Sequence, residues 1–595
     1  MEHRWVLNKT ESQQAESQLL ADERIGNKIP LPLLKILLQR GLNSYESIID
    51  FFRPDYKKIH DPFLMKDMDR AVERVEKAIA DKEKILIFGD YDVDGTSAVA
   101  LMYSFLRKDV EQMEYYVPDR YEEGYGISVQ SVEYARQKQF TLMIVLDCGI
   151  KCHQEIDLAN QYGIDVIVCD HHLPDETLPN AYAVLDPKRV DCEYPFKELT
   201  GCGVGFKLIQ AISQRRGVDM ESLLLQYFDL LAISIASDVV PIVGENRILA
   251  YYGLRLINLR PRQGIESLLA YGKFVRNPQL NLSSDKKIRT IFNKEVTIND
   301  LVFCVGPRIN AAGRMDTGRN SVHLLISDKE EKTKQLGENV EEKNNERREL
   351  DMQITKEAIE IFEPMAKNRR SIVVFDPSWS KGVVGIVASR LVEHFYRPAI
   401  VLTCSNDLVT GSARSVRDFD LYEALCKCSH LLEHFGGHTF AAGLSLKREN
   451  LEKFTEQFEQ VVASSISQKS IMPTMDIDQE IDIADITNQF YDILKLMAPF
   501  GPQNMNPTFM TKGVVALNTK IVGGKHLKMS ILQMSKRSFP IEAVAFGFGD
   551  DYERIAKGDS FNICYHVSMN EWHGKTSLQL IIKDIKFDFK PFDEV

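Results

Sequence analysis

Seven side chains able to bind a metal or carry a proton fall in three short motifs. Asp90, Asp92 and Asp94 lie in Asp90-Tyr91-Asp92-Val93-Asp94-Gly95, Asp147 opens Asp147-Cys148-Gly149, and Asp170, His171 and His172 are consecutive. Each motif follows directly on a short, largely apolar run: residues 85–89, 142–146 and 165–169. Runs of this length, rich in Val, Ile and Leu, read as buried parallel strands. Carboxylates at the carboxyl ends of such strands stand where open α/β sheets place their active sites. So much like charge in a partly dry crevice calls for a divalent cation, and an Asp/His donor set suits Mn²⁺ or Mg²⁺. A single Asp-x-Asp after a strand is more often a helix cap. Three such motifs in one αβ rhythm are not explained that way. Asp238, at the end of an apolar helix, opposes the helix dipole and is a further ligand candidate.

Two ions a few ångströms apart can clamp the attacking and leaving oxygens of a displacement at phosphorus. Asp147 is the natural bridging ligand, because its strand should lie between the other two. Asp92 and Asp94 would serve one ion each, with His171 and Asp238 completing a coordination sphere. His172 is left to contact the phosphate or donate a proton. No phosphate loop of the Gly-x-x-x-x-Gly-Lys type competes for this chemistry.

Arginine set among small residues suggests phosphate readers, since its fork matches phosphate oxygens. Arg308, Asn310 and Arg314 lie in residues 306–314, Ser412, Arg414 and Ser415 in 412–415, and Arg120 follows Pro118-Asp119. Gly436, Gly437 and His438 form a small-residue cluster that permits close backbone approach to a ligand.

The elements that must position these residues are spread over 595 residues, enough for several domains. Residues 1–75 read as helical and polar. Residues 76–327 alternate strands and helices as a doubly wound sheet, with the helix after the first motif reading from Thr96 to Leu106. Residues 328–367 carry apolar residues at helical spacing amid charge and form a connecting helix. Residues 368–468 are a second αβ unit. Residues 469–595 read as strands punctuated by turns, a small barrel of the oligonucleotide-binding (OB) type. There Lys525, His526, Lys528, Lys536, Arg537, Phe539, Trp572 and Lys575 mix basic and aromatic side chains suited to stacking a single strand. The net charge of −12 argues against a nonspecific nucleic-acid coat but not against a basic groove. No run approaches a membrane span, the start of the chain lacks a signal-peptide core, and the ten cysteines include no Cys-x-x-Cys pair. A reduced, cytoplasmic and monomeric protein is expected.

Together these motifs resemble the DHH phosphoesterase family, whose name is the Asp170-His171-His172 triplet, and within it the single-stranded-DNA-specific exonucleases. The resemblance covers nearly all of the chain beyond residue 50. It implies a 5′→3′ exonuclease that hydrolyses single-stranded DNA to mononucleotides in recombination and repair. It also implies a DHH-associated second domain, Mn²⁺ or Mg²⁺ as a pair of ions, and a single-strand-binding protein and a helicase as partners. Its metal ligands fall on Asp92, Asp94, Asp147, His171 and Asp238, with Asp90 and His172 supporting or catalytic. One departure stands at Gln503, where the family's Pro-Phe-Gly-x-Gly-Asn has its second glycine; it puts the local turn in question. The alternative is a DHH phosphodiesterase acting on short oligonucleotides or cyclic dinucleotides. The extra barrel and the inserted region 260–330 favour a polymer. A non-catalytic scaffold would have no reason to keep the full ligand set.

Overall fold

A computed structural model describes residues 3–587 apart from 10–12, 27, 278–288, 316–317, 406, 468, 535–537 and 573–574. Strand β1 (Arg4–Leu7) stands near the start of the chain. The first large sheet follows: β2 (Ile85–Gly89), β3 (Met113–Tyr116), β4 (Leu142–Leu146), β5 (Asp165–Cys169) and β6 (Ala183–Leu185). All of its pairings are parallel, in the order β3-β2-β4-β5-β6. β4 therefore lies between β2 and β5, the strand order expected for Asp147 from the sequence. Both faces are covered, so every residue of β2 and β4 is buried, which is why these strands read as unbroken apolar runs.

The helix after β2 starts before Thr96. It spans Val93–Leu106, and its cap is Asp92, whose Oδ1 accepts from the Gly95 amide at 3.0 Å. One helix, Met220–Ser237, is long and apolar enough to cross a membrane, with a mean hydropathy of 1.2, against the expectation that no segment comes near. Twelve of its residues are buried within the first domain, including Phe228, Leu230 and Ile233, so packing accounts for its apolarity.

The connecting helix runs Glu330–Phe362, 33 residues or about 50 Å. Its Val340 packs into the first core and its Ile354, Ala358 and Phe362 into the second. The second sheet is mixed: β7 (Ile372–Phe375) and β8 (Ala399–Ser405) are parallel, while β9 (Leu408–Arg414), β10 (His434–His438) and β11 (Ala441–Leu446) extend it antiparallel.

The third unit begins with β12 (Thr474–Ile477) and β13 (Gln479–Glu480), then β14 (Phe509–Val522), β15 (His526–Gln533), β16 (Ile541–Ala545), β17 (Phe561–Trp572) and β18 (Lys575–Lys586). The pairing of β14 with both β15 and β17 closes a barrel. Gln503 adopts φ 57°, the left-handed conformation a glycine would suit, and the turn forms regardless. Gly501 and Asn504 exchange backbone hydrogen bonds there.

The N-terminal region differs from its polar reading. β1 pairs in parallel with β12, and Trp5 Nε1 donates to Asp584 Oδ2 at 2.6 Å. Leu33, Leu34, Ile36 and Leu37, on the helix Leu31–Gln39, join the barrel's own core cluster. A nine-residue helix with four buried aliphatics is an amphipathic packing element, so truncation near 475 would strip the N-terminal region of its partner.

Candidate active site

Three strand ends and one helix end supply the site. Asp90 follows β2, Asp147 follows β4, and Asp170 to His172 follow β5. Asp238 caps the C-terminus of the helix Met220–Ser237. His171 Nε2 stands at the centre, 3.3 Å from Asp147 Oδ1, 3.7 Å from Asp238 Oδ2 and 3.9 Å from Asp94 Oδ2. Two ligand clusters share this histidine, one with Asp94 and Asp238, the other with Asp147 and His172.

Asp94 is held most firmly. The amides of Gly201 and Cys202 donate to it at 2.6 and 3.0 Å, and Ser234 Oγ at 2.6 Å. The helix Gly201–Arg215 thus aims its positive end at the carboxylate. Gly201 is obligatory: a Cβ there would lie 2.5 Å from the Asp147 side chain. Asp147 itself has φ 61°, which aspartate tolerates better than most residues.

Burial, then the neighbouring Asp94 and Asp92, push the Asp147 carboxyl well above the usual range. Burial and the charge of Asp92 do the same to Asp90. Asp238 is pushed up to about 8, by burial first and then by Asp94 and Asp92. Burial lowers His171. The buried atoms Asp90 Oδ1 and His171 Nε2 have no hydrogen-bond partner. Crowded carboxylates, a neutral imidazole and orphaned buried acceptors are what a divalent cation would satisfy, and oxygen with imidazole donors suits Mn²⁺ or Mg²⁺. The residues present fit the metal.

Asp92 departs in part from its expected role. It caps a helix and belongs to neither cluster. His172 stands closer to the centre than expected. Its Nδ1 lies 2.7 Å from Asp170 Oδ1, while buried Asp170 also accepts from the amides of Ile150, His171 and His172. Burial disfavours the His172 cation, but the Asp170 bond together with nearby carboxylates raises its pKa.

Two residues escaped the sequence reading. Tyr125, between Gly124 and Gly126 at φ 85° and 84°, donates to the Asp147 carbonyl at 3.0 Å and reaches the His172 ring at 3.2 Å. Its signal was the glycine pair flanking an aromatic. Asp186, just past β6, is buried with Oδ2 unpartnered, and burial lifts it to about 7. It is a further strand-end aspartate, legible from the Val184-Leu185-Asp186 pattern.

A cavity of about 410 Å³ opens beside the metal loop. Tyr91, Arg120 and Tyr121 line it from the first domain, and Lys381, Ser412 and Gly436 from the second. Tyr91 is the residue between Asp90 and Asp92, so one loop carries both metal-type carboxylates and the cavity wall. Lys381 was not anticipated. The helix Val384–Phe395 begins at this wall, and a Cβ on Gly385 would meet Arg414 and Ser412. Among the described residues, Arg120, Arg314 and Arg414 form no ion pair. Burial and their mutual repulsion lower Arg314 to about 10, and burial and Arg120 lower Arg414. Unpaired cations at a helix N-terminus make an anion site.

Comparison with known proteins agrees with this geometry. Residues 84–235 match the DHH family, N-terminal domain, 368–464 the DHHA1 domain and 477–584 the RecJ OB domain. The single-stranded-DNA-specific exonuclease RecJ of Dickeya dadantii is 31% identical over 95% of this chain and 97% of its own. That of Bacillus subtilis is 35% identical over 92% of this chain and 67% of its own. The chain belongs to the RecJ family. The crystal structure of RecJ in complex with Mn²⁺ from Thermus thermophilus shares the fold, with a TM-score of 0.80 at 24% identity over 99% of this chain and 80% of its own. A structure of exonuclease RecJ bound to manganese is 28% identical, with a TM-score of 0.56 over 68% of this chain and 96% of its own.

Within this RecJ fold several expected substrate contacts are redirected. Arg308 does not line the cavity. Its fork pairs with Glu341 at 2.6 and 3.1 Å and donates to the Cys304 carbonyl, so it fastens the helix Gly306–Met315 to the connecting helix. Arg314 donates to the Gly382 carbonyl at 2.8 Å, and Tyr121 Oη donates to the Arg314 carbonyl. That clasp joins the two domains, though its charge still faces the cavity's arginines. Ser415 donates to the Phe419 carbonyl within its own turn. Asn310, Gly437 and His438 do not line the cavity. In the barrel, Phe539 is 92% exposed and Lys575 exposed, whereas Lys536, Arg537 and the side chain of Trp572 lie outside the described residues.

Metal should also stabilise the fold in a pH-dependent way. The Asp238 pKa is about 8 in the fold against 3.8 when exposed, so the unfolded chain gives up its proton first. The contribution of Asp238 to the stability of the metal-free fold therefore falls as pH rises from about 4 to about 8. A bound cation removes that penalty, so the gain in melting temperature on adding Mn²⁺ should be larger near pH 8 than near pH 6. Melting curves with Mn²⁺ and with chelator check this. An equal or smaller gain near pH 8 would contradict the assignment.

Proposed function

We propose that the chain is a metal-dependent exonuclease that hydrolyses single-stranded DNA from its 5′ end. The observation that carries this reading is the shared loop: Tyr91 lines the cavity beside Arg120, while the charges of its neighbours Asp90 and Asp92 act on the Asp147 carboxyl. A terminal phosphate held by Arg120, Lys381, Ser412 and Arg414 would set the first phosphodiester beside His171. The names of the RecJ relatives support single-stranded DNA as the substrate.

Asp94, Asp147, His171 and Asp238, with Asp92, would hold two divalent ions. Bound there, such ions supply the clamp on attacking and leaving oxygens in an in-line displacement at phosphorus. The chain's own residues do the rest. Asp170 Oδ1 accepts a hydrogen bond from His172 Nδ1, which leaves Nε2 for the substrate. The Asp170 bond favours the protonated ring, which could donate its Nε2 proton to the departing 3′ oxygen. Tyr125 packs edge-on against the His172 ring at 5.7 Å and limits its rotation. The barrel supports a polymer substrate over a cyclic dinucleotide, since stacking successive bases requires a surface beyond the cavity.

The test is a strand labelled at either end. Label should leave the 5′ end as a mononucleotide before the 3′ end shortens. Arg120→Ala should slow 5′-phosphorylated strands by about tenfold or more, the size of one charge-assisted hydrogen bond, and 5′-hydroxyl strands much less. Initial release from the 3′ end would overturn the polarity. Equal loss on both substrates would move the end pocket elsewhere.

A further inference from the structure

Arg247 is buried at 4% exposure, and among the described residues no carboxylate pairs with it. Burial, then Arg40, lowers it to about 9. All its acceptors are backbone carbonyls: Phe51 at 3.1 and 2.9 Å, Met497 at 3.1 Å, Ala498 at 2.9 Å and Pro499 at 3.3 Å. Its guanidinium also lies 3.7 Å from the Phe51 ring centre. A buried cation without a counter-charge is costly, and the expense is compensated only by what the fork holds in place. What it holds is Phe51 and residues 497–499, the latter at the start of the segment that leads into the barrel.

That segment touches the metal site through one short loop. The Ile242 amide donates to the Pro502 carbonyl at 2.8 Å, and a Cβ on Gly501 would sit 2.6 Å from Ile242 Cγ1. On its other side the loop is tied by Asn246 Nδ2, which donates to the Pro241 carbonyl at 3.1 Å. Four residues before Ile242 is Asp238. Between them Val239 has φ 58°, a conformation that costs a β-branched residue dearly and persists only where the surroundings over-determine it. The helix Gly244–Leu259, which bears Asn246 and Arg247, continues directly from this loop.

We infer that residues 497–502 are a coupling element through which the seating of the barrel sets the position of Asp238, with Arg247 and Gly501 as positioning residues. This rests on the reading of Asp238 as a metal-holding residue. Barrel placement then sets more than the grip on long strands. It also sets the metal site's affinity, and so the turnover of substrates too short to reach the barrel.

The experiment compares Arg247→Lys, Gly501→Ala and Asp238→Asn in the full chain. Mn²⁺ binding is measured by titration calorimetry, and kcat and KM on a 5′-phosphorylated dinucleotide and on a long strand. Asp238→Asn should weaken Mn²⁺ binding. Arg247→Lys and Gly501→Ala should each weaken it by about tenfold, as loss of a residue supporting a ligand does, and should lower kcat on the dinucleotide. If Asp238→Asn weakens Mn²⁺ binding while the other two leave Mn²⁺ affinity and dinucleotide kcat at wild-type values, the coupling is overturned and the ligand reading stands. Wild-type Mn²⁺ affinity in Asp238→Asn overturns both. Should Arg247→Lys fail to fold, Gly501→Ala decides the question alone.

Discussion

Asp147→Ala is expected to lower exonuclease turnover by at least about a thousandfold, even at saturating Mn²⁺, while leaving the melting temperature in chelator unchanged or raised. The carboxylate lies 3.3 Å from His171 Nε2 and its cluster adjoins that of Asp94 and Asp238. Losing a carboxylate that would hold a bound ion removes several kcal/mol of charge stabilisation from the transition state, which translates to roughly a thousandfold. The fold should survive because the side chain makes no other hydrogen bond among the described residues. Its removal also relieves repulsion among Asp92, Asp94 and Asp238. Binding of single-stranded DNA should persist for the same reason. Activity within tenfold of wild type would contradict the assignment.

Arg308→Ala is expected to act on stability instead of on end recognition. Both arms of the fork are taken by Glu341, a third donor by the Cys304 carbonyl, and the group is 7% exposed. Breaking such a pair leaves a half-buried carboxylate uncompensated, at about 3 kcal/mol. The variant should melt several degrees lower and lose activity equally on 5′-phosphorylated and 5′-hydroxyl strands. A normal melting curve with selective loss on phosphorylated strands would show that Arg308 leaves Glu341 to grip the end.

Arg308 also marks the limit of what the chain discloses by itself. The strands before the three acidic motifs were legible because a buried parallel strand needs an unbroken apolar run, and β2, β4 and β5 begin and end at the expected residues. Asp238 was legible because an anion at a helix C-terminus needs a reason. The phosphate readers were not separable. An arginine among small residues looks alike whether it lines an open cavity, as Arg120 does, or meets a glutamate more than thirty residues away, as Arg308 does. Lys381 reads as a turn residue until the second domain brings it to the cavity that Tyr91 also lines. The apolar residues of Leu31–Gln39 were passed over in the polar reading of residues 1–75, because their partners lie more than 440 residues further on and no local pattern reports a contact of that range.

The central claim is that metal held at the strand ends hydrolyses single-stranded DNA. The direct measurement offers the purified protein 5′-phosphorylated single-stranded DNA, the same sequence as blunt duplex, and a cyclic dinucleotide, each with Mn²⁺ and with chelator. Mononucleotide release is expected from the single strand alone, and only with metal. Release that survives the chelator, or a cyclic dinucleotide cleaved faster than the strand, would contradict it.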